Sequence, residues 1–559
     1  MTVLSRLATR LGKLPPATTP DVVVDRNLPV PMHDGVVLLA DRYHHRSDRR
    51  LPTLLVRSCY GRRGIMGFQY GQLFAERGFQ VVVQSIRGGY GSGGTFEPLT
   101  HDPQDAAATV AWLRDQPWFT GQLGLVGASY LGYTQWALAQ DPPPELRAMS
   151  VQMAPHDPVR TIYPGGAFAL ENWLTWAEDV TGKPWADTVP RAAVEGAIAG
   201  RRALSRLRPA YRQLPFTQAY RHALGHPAPF LEEWMAHPAD GPYWQARAAT
   251  SGVRNTRVPV GLLSGWYDAF LPDTLEAWRI LREQGTPARL TVGGWAHSGL
   301  EDWPAMFRDN YSWLRAHLSG DNALLTPTPV RVFVLGAGGG WRDLPDWPPA
   351  GVTTQRWQLQ PDSGLARSAP PPSEPDRFRY DPADPTPSVG GATLAGVDGP
   401  RDNRALEARP DVLTYTSDPL GAVLELTGPV TATVHVEHEL AHADVFVRLC
   451  DVAPDGRSTS ICDGLTRVEP APVATGPGAA AAGTGVQPVA VNLASTAYRV
   501  AAGHRLRVQV SGGAHPRWVR NYGTGEPFGP ATRLAAGWHT VHHSAAHPSG
   551  IDLPVGSGG

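Results

Sequence analysis

A serine hydroxyl attacks a carbonyl only when it is exposed, held in place and relieved of its proton by a base. The segment Gly127-Ala128-Ser129-Tyr130-Leu131-Gly132 presents such a serine between a strand-like run, LGLVGA, and a helix-like run, YLGYTQWALAQ. A sharp strand-to-helix turn there would lift Ser129 above a sheet, and the small Gly127 lets the backbone bend that tightly. The helix that follows aims its N-terminal dipole at the site, which favours an oxyanion, and the backbone N–H of Tyr130 is the first expected donor. The pattern departs from the usual nucleophile elbow: its second glycine would fall at Tyr130, and glycine comes only at Gly132.

On a hydrolase sheet the partners follow the serine in the order acid, then histidine. The run VPVGLLSG (258–265) ends in Gly265-Trp266-Tyr267-Asp268, which puts an acid just past the C-terminal end of a strand, the side where open α/β sheets carry their sites. Asp273 is the better placed N-cap for the next helix, leaving Asp268 for another task. ARLTVGG (288–294) then leads to Trp295-Ala296-His297; of nineteen histidines, this is the one that follows the last strand of the alternating block. In this scheme His297 takes the Ser129 proton and returns it to the leaving group, while Asp268 holds the imidazole tautomer.

These side chains need a scaffold, and the pattern around them supplies one. VVVDRNLPVPMHDGVVLLADRYHH reads as a hairpin turning at Asp34-Gly35. TLLVRS (53–58), FQVVVQSI (79–86), LGLVGAS (123–129) and the two runs above are Val- and Leu-rich without clean alternation, as strands covered on both faces are. Helical stretches between them (106–114, 133–140 and 273–283) predict an α/β fold with a mainly parallel sheet. Residues 156–249 interrupt this with helix-like groups such as ALENWLTWAEDV (169–180) and PRAAVEGAIAGRRAL (190–204), as an inserted cap would. From residue 326 onward, period-2 runs such as HRLRVQVSG (504–512), separated by Pro and Gly, predict a β-sandwich or jelly roll. The expected division is therefore an arm (1–24), an α/β-hydrolase unit (25–155 and 250–325), a helical cap (156–249) and a β-domain (326–559) with a low-complexity loop at 476–485.

With these pieces assembled, the sequence resembles the cocaine-esterase-like hydrolases, a family grouped with the X-Pro dipeptidyl-peptidases and the α-amino-acid ester hydrolases. The likeness runs along nearly the whole chain, through VPMHDGVVLLADRY, SCYGRRG, IRGGYGSGGTFEP, GASYLG, HPADGPYW, GWYDAF and GGWAHS. It implies a triad of Ser129, Asp268 and His297, and a second oxyanion donor, a tyrosine hydroxyl, at Tyr60. Tyr60 lies just beyond TLLVRS, at the expected catalytic end of the sheet, and a phenol donates without losing its proton. The resemblance also implies an acyl pocket using Trp176 from the cap and Phe270 after the acid. The α-amino ester branch binds its substrate ammonium through carboxylates close behind the catalytic acid. Ala269, Phe270 and Leu271 offer none here, so a neutral or aromatic ester is the expected substrate. Amide or X-Pro peptide cleavage and acyl transfer share the same triad and remain open, although no acidic clamp for a peptide N-terminus is identifiable. A non-catalytic binding protein is the third reading, and the complete triad speaks against it.

Other classes find less support. The chain has 559 residues, 42% hydrophobic and 18% charged, with net charge −1 and pI near 7.0, which gives no electrostatic reason for a nucleic-acid partner. Gly89-Tyr90-Gly91-Ser92-Gly93-Gly94 fits a dinucleotide fingerprint by letter, but Pro98 and Pro103 make the stretch a loop, so no cofactor is expected. The pairs His44-His45 and His542-His543 lack metal-ligand spacing and are expected on the solvated surface, so no metal is expected either. Cys450 and Cys462 flank a hairpin turn at Asp455-Gly456; a bridge or two reduced core thiols both fit, and Cys59 stands apart. No apolar run of about 18 residues occurs and no secretory leader is evident, so the cytoplasm is the expected location. Leu4, Leu7, Leu11 and Leu14 recur at helical spacing among Arg6, Arg10 and Lys13, predicting an arm docked on its own protein, with a membrane-surface helix as the alternative.

Overall fold

The computed structural model describes residues 1–47, 50–182, 205–297, 302–394, 399–468 and 485–556. Helix α1 (Val3–Leu11) precedes the hairpin of β1 (Val22–Pro31) and β2 (Val37–His45). Then follow β3 (Thr53–Ser58), β4 (Gln80–Ser85), α2 (Asp102–Arg114), β5 (Leu123–Ala128), α3 (Tyr130–Leu138) and β6 (Leu146–Gln152). The strands pair in the order β1-β2-β4-β3-β5-β6, antiparallel as far as β2–β4 and parallel beyond. Strands β3 and β4 are buried along their whole length, and their side chains alternate between two cores. Leu54 and Val56 join the cluster of Phe74, Phe307 and Leu314 on one face, while Leu55 joins that of Val110, Trp136 and Trp278 on the other.

The cap enters after β6. Of its helices α4 (Leu170–Thr181), α5 (Phe216–Leu224) and α6 (Pro229–Ala236), α4 and α6 pack by their aromatic rings and α5 bonds α6 through Glu232, and the sheet then resumes with β7 (Val260–Tyr267). Helix α7 (Leu271–Glu283), β8 (Ala288–Ala296) and α8 (Trp303–Ser319) complete the alternation. The segment 190–204 and most of 476–485 lie outside the described residues.

Four points of the structure correct or refine these readings. Strand β9 (Val330–Gly336), which the sequence assigns to the β-domain, adds to the hydrolase sheet beside β8, pairing Leu290 with Val330. It also pairs antiparallel with 340–344 and, through Leu335 and Gly336, parallel with 487–500 of the β-domain, so it joins both sheets, with Val330, Val332 and Val334 buried and Arg331 and Phe333 half-buried. Asp273 is not the N-cap of α7, which begins at Leu271; its carboxylate instead accepts from the backbone of His156 and Asp157. The histidine pairs are not simply solvated. A strand sends neighbours to opposite faces, so His44 is buried with Nε2 3.0 Å from Asp25, and His543 with Nε2 3.1 Å from Asp376. Lastly, the N-terminal helix docks on its own protein through Ser5 and Thr9, with Leu4 half-buried and Leu14 just beyond it buried, while Leu7 and Leu11 face solvent.

Beyond β9 the chain forms two facing antiparallel layers. One joins 412–416, 505–511, 443–452 and 458–468, and the other 353–360, 550–555, 424–438 and 487–500. A Val- and Leu-rich core fills the space between them. Cys450 and Cys462 are both unbridged. The buried charges here are paired: Arg448, fully buried, lies 2.8 Å from Asp463, whose other oxygen is 2.6 Å from Arg517. Burial alone would raise the Asp463 carboxyl, but the two guanidiniums outweigh it and hold it below the usual range. Removing one partner strands the other charges in the interior. Arg448→Ala is therefore expected to lower unfolding stability by about 3–5 kcal/mol in urea titrations; a change under about 1 kcal/mol would mean water reaches this pair.

Candidate active site

Ser129 sits between β5 and α3 with φ 60° and ψ −128°, a backbone conformation that only glycine adopts freely. Neighbours enforce it: the Ser129 N–H donates to the Gln152 carbonyl at 2.9 Å, and its own carbonyl accepts from the N–H groups of Gly132 and Tyr133. A Cβ at Gly127 would lie 2.5 Å from Leu131 Cβ, and one at Gly132 would lie 2.3 Å from Ala154 Cβ. The close crossing that demands a second glycine thus falls at 132, and position 130 is free to carry a side chain. Tyr130 uses that freedom. Its hydroxyl donates to Asp102 Oδ2 at 2.6 Å and accepts from the Leu99 N–H at 2.9 Å, beneath the site. Burial raises the Asp102 carboxyl, against the pull of Arg57 nearby.

The structure brings Asp268 and His297 to this serine from the ends of β7 and β8. Ser129 Oγ lies 3.2 Å from His297 Nε2, and His297 Nδ1 lies 2.8 Å from Asp268 Oδ1. Asp268 is 1% exposed, and its second oxygen accepts from Ser264 Oγ at 2.7 Å. An ionised Asp268 can only accept, so the ring carries its proton on Nδ1 and leaves Nε2 open to the serine proton.

Tyr60 and the cap meet over the serine. Trp176 Nε1–H donates to the Tyr60 hydroxyl oxygen at 2.9 Å, leaving the phenolic proton to point elsewhere; the phenol also hydrogen-bonds with Ser129. Burial pushes the Tyr60 phenol well up, so it stays protonated. The Trp176 ring stacks between Tyr130 and Trp234, with centroids 5.9 Å from each. Phe270 sets its ring against His297, centroids 5.1 Å apart. Trp176, Phe270, Trp173, Trp234, Leu99 and Ile162 line a small cavity over Ser129 that holds no charged side chain among the described residues.

Of the residues expected from the sequence, Ser129, Tyr130, Trp176 and Phe270 line this cavity, and His297, Asp268 and Tyr60 connect to it by the contacts above; two contributors were not legible. Leu394 comes from the C-terminal part of the chain and is held by its N–H on Asn172 Oδ1 at 3.0 Å. Its neighbour Thr393 forms a bridge to Asp268. No local pattern marks these residues, because long-range packing selects them. Asp102 has the signal of an acid in the first turn of a helix, which by itself says nothing of a tyrosine below the nucleophile. The glycine-rich segment folds back on itself, Gly88 N–H to Gly93 carbonyl at 3.0 Å, and delivers Phe96 to the edge of Trp176 rather than opening a helix.

A second buried pair stands where the chain leaves the sheet for the cap. Asp273 accepts from the His156 and Asp157 N–H groups at 3.3 and 3.0 Å, and His156 Nε2 lies 3.5 Å from the same oxygen. Burial lowers the His156 imidazole to about 4, with Arg160 acting in the same direction and Asp157 and Glu276 against it. Burial raises the Asp273 carboxyl to about 7, against Arg160 and the two N–H groups.

The sheet order and the serine at a strand-to-helix turn define an α/β-hydrolase. Residues 34–299 match the X-Pro dipeptidyl-peptidase (S15 family) model, and residues 322–552 match the X-Pro dipeptidyl-peptidase C-terminal non-catalytic domain. The chain is 31% identical to cocaine esterase of a Rhodococcus strain over 95% of its own length and 98% of the relative's. Among solved structures, an α-amino acid ester hydrolase superposes with TM-score 0.80 at 21% identity, covering 97% of this chain and 98% of that one. An aminopeptidase from a marine-sediment Thaumarchaeota archaeon gives 0.77 at 22%, with the same coverage. This chain belongs to the X-Pro dipeptidyl-peptidase (S15) family of serine hydrolases.

Two outcomes follow from the buried polar groups. Tyr130→Phe leaves Asp102 Oδ2 and the Leu99 N–H without this partner beneath Trp176; stability should fall by about 1–3 kcal/mol. The backbone N–H at 130 is untouched, so KM should rise more than kcat falls; a selective loss of kcat would contradict this. For His156 and Asp273, the folded pair keeps one proton on Asp273 between about pH 4 and 6.5, and the unfolded chain keeps one on His156, so their slopes cancel. In Asp273→Asn the depressed histidine alone remains, and stability relative to wild type should rise with pH from about 4 to 6.5. In His156→Asn the raised carboxyl alone remains, and relative stability should fall as pH climbs from about 4 to 7, by at most about 1.4 kcal/mol per unit in either case. Parallel melting curves for all three proteins would show that the pair is not held neutral.

Proposed function

We propose that this hydrolase cleaves carboxylic esters of neutral, apolar or aromatic acids through an acyl-enzyme on Ser129. The observation that carries the reading is the continuous chain from Asp268 through His297 to Ser129, opening into an uncharged aromatic cavity. Ser129 Oγ attacks the ester carbonyl carbon as its proton passes to His297 Nε2, and Asp268 stabilises the imidazolium. The carbonyl oxygen, now an oxyanion, is met by the Tyr60 hydroxyl and the Tyr130 N–H, the latter in the first turn of α3 where no intrahelical acceptor exists. Collapse breaks the bond to the alkoxy group, which takes the proton from His297. Water then enters, gives its proton to His297 and releases the acid by the same steps in reverse. Similarity to a cocaine esterase over nearly the full chain supports an ester substrate. Trp176 and Phe270 are assigned to the acyl group, because both rings border the space beside Ser129 Oγ.

Ser129→Ala should abolish both turnover and labelling by a fluorophosphonate. Tyr60→Phe should lower kcat by about 10²–10³ while the protein still labels, since one of two oxyanion donors is lost. Turnover of nitrophenyl benzoates, nitrophenyl alkanoates and X-Pro anilides measures the leaving-group class. Anilides cleaved faster than every ester would overturn the ester assignment, and full labelling of Ser129→Ala would remove that serine from its role.

A further inference from the structure

Helix α1 is built inside out. Its small polar side packs on the protein: Ser5 is fully buried and donates to Glu76 Oε1 at 2.8 Å, and Thr9 Oγ1 accepts from Arg77 at 2.8 Å. Arg308 reaches the Gly12 carbonyl at its C-terminal end. The aliphatic side faces away: Val3 is 75% exposed, Leu7 51% and Leu11 73%. Spaced four residues apart, they form one continuous stripe. An ordinary surface helix does the opposite, turning its apolar stripe to the core. Arg6, Arg10 and Lys13 stand exposed along the border of the stripe, and the chain contains no acidic residue before Asp21.

We propose that α1 seats this hydrolase on an anionic lipid surface, with Val3, Leu7 and Leu11 in the headgroup–acyl boundary and Arg6, Arg10 and Lys13 among the phosphates. The chemistry of the face selects this occupant. An interfacial helix combines an aliphatic stripe with flanking cations and little net hydrophobicity, and this helix has all three. A negative surface attracts each of the three cations. A second copy of the chain fits less well: a two-fold contact would set Arg6 and Arg10 near their own images. A helix roughly 14 Å long also offers far less than the ~800 Å² per partner that a stable dimer buries. The polar side of α1 is already held by Ser5, Thr9 and Gly12, so the helix needs no refolding to present its apolar side. Docking would be a rigid-body event that leaves the active site untouched.

The test uses the full chain in flotation with vesicles of phosphatidylcholine alone or mixed with phosphatidylglycerol. Wild type should float at least about tenfold more with the anionic vesicles, and raising salt should reduce that recovery. Leu7→Ser/Leu11→Ser and, independently, Arg6→Gln/Arg10→Gln should each lose most of it, while hydrolysis of a soluble nitrophenyl ester stays at the wild-type rate. Two outcomes would overturn the proposal. One is wild-type recovery no greater than that of the serine variant. The other is a dimer in sedimentation velocity that the serine variant dissolves without any vesicle binding in the parent, which would assign the face to a second copy.

Discussion

The hydrogen bond from Trp176 Nε1 to the Tyr60 hydroxyl ties the inserted cap to the end of the sheet beside Ser129. Tyr60 is fixed by the sheet, two residues past the end of β3, and Trp176 belongs to a helix of the inserted cap. By occupying a lone pair on the phenol, the indole leaves the hydroxyl proton a single useful direction, toward the space beside Ser129. The same bond fixes the indole plane, and that plane is one wall of the cavity. Orientation of the proposed oxyanion donor and shape of the proposed acyl pocket are therefore one variable. A cap displaced by an ångström would alter both, so in the proposed mechanism acyl binding and oxyanion stabilisation would be coupled.

The tyrosine at position 130 extends this coupling downward. Where a shorter residue would leave the floor under Trp176 empty, Tyr130 fills it and ends on Asp102. Asp102 in turn lies 3.5 Å from Arg57, whose side chain also bonds Gln84 of the neighbouring strand. A polar column thus runs from the sheet to the underside of the aromatic stack. Buried polar groups fix geometry because any displacement leaves one of them unpaired, a stronger restraint than dispersion between rings. The departure from the glycine elbow is then a gain of rigidity, made possible because the tight helix crossing falls at Gly132 instead.

How much of this the sequence discloses follows from the range of each interaction. The strands bearing Ser129, Asp268 and His297 are legible because strands buried on both faces read as continuous apolar runs, and because each residue follows its strand directly. Strand β6, LRAMSVQ, escapes notice: its buried Ser150 is satisfied by Asn310 on α8, so its polarity looks like a loop until the partner is known. Strand β9 shows a different limit, since a local alternation pattern does not say which sheet a strand joins, and this one pairs with strands of both. Among the histidines, composition misleads and strand periodicity would have corrected it, as His44 turns inward and His45 outward. Leu394 and Thr393 are beyond any local reading, for they reach the site from a segment more than a hundred residues past Asp268.

That last contact gives the C-terminal layers a role beyond covering surface. The loop that carries Thr393 and Leu394 is braced at Gly391, where a Cβ would lie 2.2 Å from the Arg517 guanidinium. Arg517 is held by Asp463, and Asp463 by Arg448, all within the β-domain. The ion-paired core of that domain therefore presses directly on the loop that bridges to Asp268 and closes the cavity. Burying these charges is expensive and stabilises little by itself. Their value lies in position: three fixed charges hold a loop that hydrophobic packing alone would let slide, and the proposed acid of the triad is buttressed from outside its own sheet.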